Sequence, residues 1–228
     1  MVYVFETYQK GLYPFRSANN TCCNRSNCSN NNANNSCKLY RTPKNCTNKK
    51  TYATLNNAFS LSIVNGGSGL FDVEANNFKT GENFYNSYLR NQLSVVKTCY
   101  NKKGCWNSGD TKNMNGSNVY YNRTGIGVGA DIITAILADG TFINVDVYGS
   151  ASIWTYFGTR VQNNGLVIFF DINGEKKPNT VGKDIFPLIY SEQGIVPVYR
   201  DKTQAQRDKD CSKTGTGYSC IRNYLKKM

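Results

Sequence analysis

Histidine is absent from all 228 residues. Without it the chain has no side chain that ordinarily titrates near neutrality, so Ser-His-Asp and Cys-His catalytic arrangements are excluded, and a zinc site would have to be built from cysteine alone. The Cys-x-x-Cys spacing that usually supplies two zinc ligands is missing too. No run of ~18 apolar residues occurs, and "MVYVFETYQKGLYPF" has neither the basic n-region nor the apolar h-region of a secretion signal. Acidic residues are scarce at the two ends. Residues 1–50 carry eight Lys and Arg against one Asp or Glu, residues 199–228 carry eight against three, and residues 51–198 are balanced, within a total of +12. This pattern describes a neutral body with basic termini, suited either to an anionic partner such as nucleic acid, lipid headgroups or surface polysaccharide, or simply to keeping the ends solvated.

What is present is enough for one folded domain: 39% of the residues are hydrophobic and 13% aromatic. Nine cysteines accompany them. Cys99 and Cys105 enclose "YNKKG", and Cys211 and Cys220 enclose "SKTGTGYS". Both are short polar loops with a Gly that lets the chain double back, and both are expected to be disulfides, which persist only in an oxidising compartment. Residues 17–50 are rich in Asn, Ser and Cys and poor in aliphatics, so they cannot form a core unaided. The five cysteines there, Cys22, Cys23, Cys28, Cys37 and Cys46, are odd in number, and their pairing stays open. Asn24, Asn27 and Asn45 begin Asn-x-Ser/Thr triplets, which an Asn-rich segment produces by chance.

From Lys49 the pattern becomes helical, with Tyr52, Leu55, Phe59 and Ile63 on one face and Gly66-Gly67 at the end. A second helix is expected from about Thr80 to Lys97, its core stripe formed by Phe84, Tyr85, Tyr88, Leu89, Leu93 and Val96. "DIITAILA" and "TFINVDVYG" flank Asp139-Gly140, which predicts a two-residue hairpin, and "GLVIFFDI" supplies a third strand. In the second strand Ile143, Val145 and Val147 alternate with Phe142, Asn144, Asp146 and Tyr148, as for a sheet with one side on a helix. "IFPLIYSEQGIVPVYR" then reads as an apolar segment, a Gly turn and a return, and "YSCIRNYLKKM" closes as a helical turn. The expected fold class is α+β, a helix followed by a small antiparallel meander, with residues 1–47 as a basic N-terminal segment and 48–228 as the globular domain.

Catalytic residues are hard to find. Asp131, Asp139, Asp146 and Asp171 each fit a turn or strand-end role, and "GIGVGAD", Gly125 to Asp131, matches neither a P-loop nor a dinucleotide fingerprint, so it reads as strand entry. No enzyme is expected.

The densest local information lies in "DINGEKKPNTVGKDIF", Asp171 to Phe186. A buried strand runs into Asn173-Gly174, a pair that readily adopts hairpin-turn conformations. Pro178 fixes a second bend and Gly182 a third, while Asp171, Asn179 and Asp184 carry short side chains able to bond backbone amides. With Phe186 closing the pattern, this stretch resembles the C-terminal loop of bacterial type IV pilin-like proteins, particularly type II secretion-type pseudopilins, and "TYATLNNAF" resembles the second half of their spine helix.

The resemblance implies a pilin-like fold, a spine helix packed on the meander, and a C-terminal loop fixed by a disulfide. It implies an exported subunit of a pilus or secretion filament, periplasmic or at the cell surface, whose partners are other pilin-like subunits and their machinery. Family members carry a basic leader and a long apolar anchor helix; neither occurs here, so the chain reads as a truncated or atypical precursor. Some pseudopilins also hold calcium near this loop. Asp171, Asn173 and Asp184, with Glu175, would be its ligands here, against the reading in which the same side chains only hold the turn. The alternative function is a soluble exported binding module whose basic ends take DNA or a surface glycan.

Overall fold

The computed structural model describes residues 43–66, 73–192 and 194–225. Cys22, Cys23, Cys28, Cys37, the triplets at Asn24 and Asn27 and most of the segment 1–47 lie outside them, while Asn45 and Cys46 fall in the first turns of helix α1, Pro43–Gly66. Asn48, Thr51, Leu55, Ala58 and Phe59 are buried, at the three- and four-residue spacing that puts them on one face. Lys50, Thr54, Asn57, Ser60 and Leu61 stay exposed.

α2, Phe78–Phe84, is capped by the Asn77 side chain, which accepts from Lys79 N. It runs on through a π turn, Tyr85–Leu89, and a 3-10 turn, Arg90–Gln92. The sequence expectation of one helix to Lys97 fails at this point. β1, Val95–Tyr100, is a strand, and Val96 is 69% exposed instead of completing the stripe formed by buried Phe84, Tyr85, Leu89 and Leu93. β-Branched Val95, Val96 and Thr98 fit a pleated surface, and the strand is fixed by pairing with residues about forty positions later, such as Cys99 with Thr134.

The main sheet has six antiparallel strands in the order β1-β4-β5-β6-β7-β8, where β4 is Ile132–Leu137, β5 Phe142–Tyr148, β6 Gly165–Asp171, β7 Ile185–Ser191 and β8 Gly194–Pro197. A small hairpin, β2 (Asn122–Arg123) and β3 (Gly127–Val128), forms a separate two-stranded sheet. The class is α+β, a meander from β4 to β8 with β1 returning to its open edge. Between β4 and β5 the loop has three residues, not two: Leu137 N bonds Thr141 O and only Gly140 is left-handed, at φ 84°. This is a type I turn followed by a bulge, and Asp139 Oδ1 accepts from Thr141 N to hold it.

Both sides of the sheet are covered, which the expectation of a single helix-covered side missed. On one side Ile143, Val145, Val147, Leu166, Ile168, Phe170, Leu188 and Tyr190 meet α1 and α2. The Phe59 ring stacks on Tyr190 with centroids 3.9 Å apart, and Tyr52 Oη donates to Ile195 O at 3.5 Å. On the other side Phe142, Val167, Phe169, Ile185 and Ile189 meet α3 (Ser150–Phe157), Trp106, Val119, Val128 and Tyr218. Neither α3 nor α4, Gln204–Asp210, was read from sequence, although the Thr203/Gln206 capping box that starts α4 was visible there. A 3-10 turn, Tyr218–Cys220, and α5, Ile221–Leu225, close the described chain. Among the described residues no helix is long and apolar enough to cross a membrane.

Candidate functional site

The loop between β6 and β7 is built around two carboxyl groups, Asp171 and Asp184, both fully buried. Asp171 ends β6 opposite Ile185, and its Oδ1 accepts from Asn173 N at 3.0 Å and Gly174 N at 3.1 Å. Asp184 gathers the far side: Oδ1 accepts from Thr180 N at 2.7 Å, and Oδ2 from Asn179 N at 3.0 Å and Asn173 Nδ2 at 3.3 Å. Asn173-Gly174 therefore opens a long loop, not a tight hairpin. Gly174 is left-handed at φ 61°, with Asn179 and Gly182 likewise at 51° and 83°. Pro178 follows a cis peptide bond, and Phe186 points to the opposite side of the sheet, against Phe170 and Tyr224.

Burial, aided by the Asp184 charge and opposed by the Asn173 and Gly174 amides, pushes Asp171 up to about 7. The calcium ligand set fits poorly with this arrangement. Its carboxylate oxygens face N–H donors, and Glu175 Oε2 is taken by Ser108 N and Oγ at 3.0 and 3.1 Å. Asn173 Oδ1 and Asn179 Oδ1 are the loop's buried side-chain oxygens without a donor, two against the roughly six to eight that calcium takes. Among the described residues no group of three or more His, Cys, Asp and Glu is placed to hold a metal.

The loop is locked from outside by residues that carry no local signal. The Asn107 amide lies 3.3 Å from Asp171 Oδ2. Lys112 N donates to Asn179 O and Lys112 O accepts from Val181 N, so this strand-like segment runs beside the loop. The same segment then joins the C-terminal loop, with Met114 N to Thr216 O at 2.9 Å and Asn115 N to Gly215 O at 3.0 Å. Cys211 and Cys220 are bonded there, and Cys99 and Cys105 at the end of β1. Asp210 organises the C-terminal loop from within, accepting from Ser219 N at 2.7 Å and Thr216 N at 3.2 Å. The β6–β7 loop, the segment 112–115 and the Cys211–Cys220 loop are thus bonded together at one end of the sheet.

No known family, curated protein or solved structure matches the chain. Its geometry and its sequence therefore carry the functional reading.

Further polar groups hold the cover on the same side of the sheet. Asn144 exchanges two bonds with the Val128 backbone, at 2.9 and 2.7 Å. Asp146 accepts from Val147 N at 2.8 Å and Ala130 N at 3.3 Å, and burial pushes its carboxyl up to about 7. The glycine-rich stretch Gly125–Asp131 is thereby laid over β5, so close that a Cβ on Gly127 or Gly129 would come within 2.1 Å of Asn144 Oδ1 or Asp146 Oδ2. Asp131 begins β4's approach and Asp139 holds its turn. Each buried carboxyl group here is spent on holding backbone.

Proposed function

We propose that the chain is a non-enzymatic, pilin-like subunit of a type IV pilus or type II secretion-type filament, exported and acting by assembly and surface contact. The observation that carries the reading is helix α1, which among the described residues buries one face against the same sheet whose β6 and β7 carry the Asp171–Phe186 loop. α1 buries Leu55, Ala58 and Phe59 against the sheet and leaves Thr54, Asn57, Ser60 and Leu61 outward, a face free for neighbouring subunits. The disulfide-bonded loop beside the Asp171–Phe186 loop supports export, since such bonds persist in oxidising compartments.

Cysteine cross-linking tests it. Asn57→Cys, expressed from its own gene in its own cell and oxidised, should give a ladder of reducible multimers in the sheared surface fraction, above that of the parent chain. A monomer in every fraction overturns the proposal.

A further inference from the structure

Positive charge gathers at the C-terminal end of the described chain without matching acid. From residue 200 to residue 222 stand six cations, Arg200, Lys202, Arg207, Lys209, Lys213 and Arg222, against Asp201, Asp208 and Asp210. Two of those carboxyl groups are turned elsewhere: Asp208 accepts from Gln204 Nε2 at 2.6 Å, and Asp210 holds the backbone of Thr216 and Ser219. Lys209 and Lys213 are exposed. Lys202 has a partner, its ammonium lying 3.9 Å from the centre of the Trp154 ring, with the Arg160 guanidinium 4.7 Å from the same ring.

Three guanidinium groups and one carboxylate remain. Arg200 bonds Asp201 through Nε and Nη2, at 3.3 and 3.2 Å. Arg207 reaches from α4 to the carbonyls of Lys202 and Arg200. Arg222 is set beside them because the Cys211–Cys220 bond ties the end of α4 to the turn before α5, and Ser219 Oγ donates to Arg207 O at 2.7 Å. Burial, then repulsion by Arg207 and Arg200, pushes the Arg222 guanidinium below its ordinary value, and only Asp201 opposes them.

Two donors in this cluster are also stranded: Arg207 Nε and Arg222 Nε are buried N–H groups without an acceptor. An unbonded buried donor costs free energy, more so on a charged group. Both side chains remain partly exposed, so an anion arriving from solvent reaches them, and turning either onto an oxyanion gives its Nε–H an acceptor. We infer that Arg200, Arg207 and Arg222 form a binding site for a phosphate dianion, either free or as the monoester head of a lipid. Three guanidinium groups against one carboxylate leave a surplus of two, which a phosphate monoester nearly cancels near neutrality, and the planar fork of arginine takes phosphate oxygens two at a time. A phosphodiester carries a single charge, so a nucleic-acid backbone fits less well.

Calorimetric titration of the full, oxidised chain with inorganic phosphate in excess chloride tests the inference. Phosphate should bind at one site and raise the melting temperature. Arg222→Gln should weaken that binding by about tenfold or more, yet keep or raise the melting temperature in phosphate-free buffer, because it removes a repelled charge and a stranded donor. Lys209→Gln, on the same helix as Arg207, should leave binding unchanged. Flotation with phosphatidylcholine vesicles containing phosphatidic acid or phosphatidylglycerol separates the sources: Arg222-dependent capture by phosphatidic acid, released by inorganic phosphate, identifies a lipid head, and capture by neither identifies the free anion. The inference is overturned by a parent chain that binds no phosphate, by binding indifferent to Arg222 or equally sensitive to Lys209, by a phosphate-free melting temperature that falls in Arg222→Gln, or by capture on phosphatidylglycerol as strong as on phosphatidic acid. The filament reading stands or falls separately, on the cross-linked ladder.

Discussion

The two sides of the sheet are covered by different physics. On the α1 side the cover is regular helix, and contact is made by Leu55, Phe59, Phe84 and Leu89 against Val145, Ile168 and Leu188. On the other side the cover is largely irregular chain, pinned to the strands by Asn144, Asp146 and Asp171 as well as by apolar contact. Apolar burial is tolerant of exact placement and indifferent to pH, whereas buried carboxyl groups fix a loop in one register and tie its stability to protonation. The filament proposal draws on both sides, on the outward face of α1 over the first and on the Asp171–Phe186 loop at the end of the second.

Phe59→Ala should break the first side with the largest effect, about 3–5 kcal/mol, because it removes a fully buried ring stacked on Tyr190; urea unfolding should show the loss equally at pH 5 and pH 8. Gly174→Val attacks the second side. The new Cβ would lie 3.0 Å from Gly140 O and 3.1 Å from the Phe142 ring at a left-handed position, so a loss of about 1–3 kcal/mol is expected, read as a lower melting temperature.

The sides also separate by pH. Asp146 and Asp171 stand at about 7 in the fold against 3.8 in the unfolded chain, so between those values the folded state holds protons that the unfolded state has released. Stability should therefore fall as pH rises from about 4 to 7 and level off above. Asp146→Asn and Asp171→Asn should each flatten part of that slope, while Phe59→Ala should leave it intact; a wild-type stability that climbs through this range contradicts the assignment. Added calcium or chelator should move the melting temperature by nothing measurable, since the loop's carboxylate oxygens are already occupied.

The smallest expected effect concerns the basic ends. DNA affinity, if carried by the segment preceding Pro43, should fall steeply with salt and vanish in a shortened chain starting at Pro43. Equal binding by both chains in a titration with duplex DNA would remove that segment as a nucleic-acid arm.

Local chemistry explains what could be read in advance. The β4–β5 hairpin was legible because Asp139-Gly140 stands between two apolar-rich runs, the second of them alternating, although the turn proved one residue longer. The Asp171–Phe186 loop was legible in part: Asp171 and Asp184 accept from backbone amides as their short side chains allow, but the Asn179 side-chain oxygen meets no donor and Asn173-Gly174 opens a long loop where a hairpin was expected. Its locks were not: Asn107, Lys112 and Met114 lie dozens of residues away and look like any polar loop until the fold brings them in. The Val95–Tyr100 strand was lost for a related reason, since its apolar spacing continues the preceding helix and only pairing with β4 decides otherwise. The ring contact of Tyr120 with Tyr156 joins positions 36 apart, with no pattern to announce it.

Where the β6–β7 loop crosses the Cys211–Cys220 loop, two glycines leave room for nothing else. A Cβ on Gly182 would sit 2.6 Å from Met114 Cε, 2.9 Å from Cys220 Sγ and 2.9 Å from Gly217 O, and one on Gly217 would sit 2.5 Å from Val181 O. Gly116, Gly140 and Gly194, by contrast, face open space. Substitution is thereby partitioned: the turn tips can take a side chain at a local backbone cost, whereas a side chain at Gly182 or Gly217 has to push the two loops and the Cys220 sulfur apart.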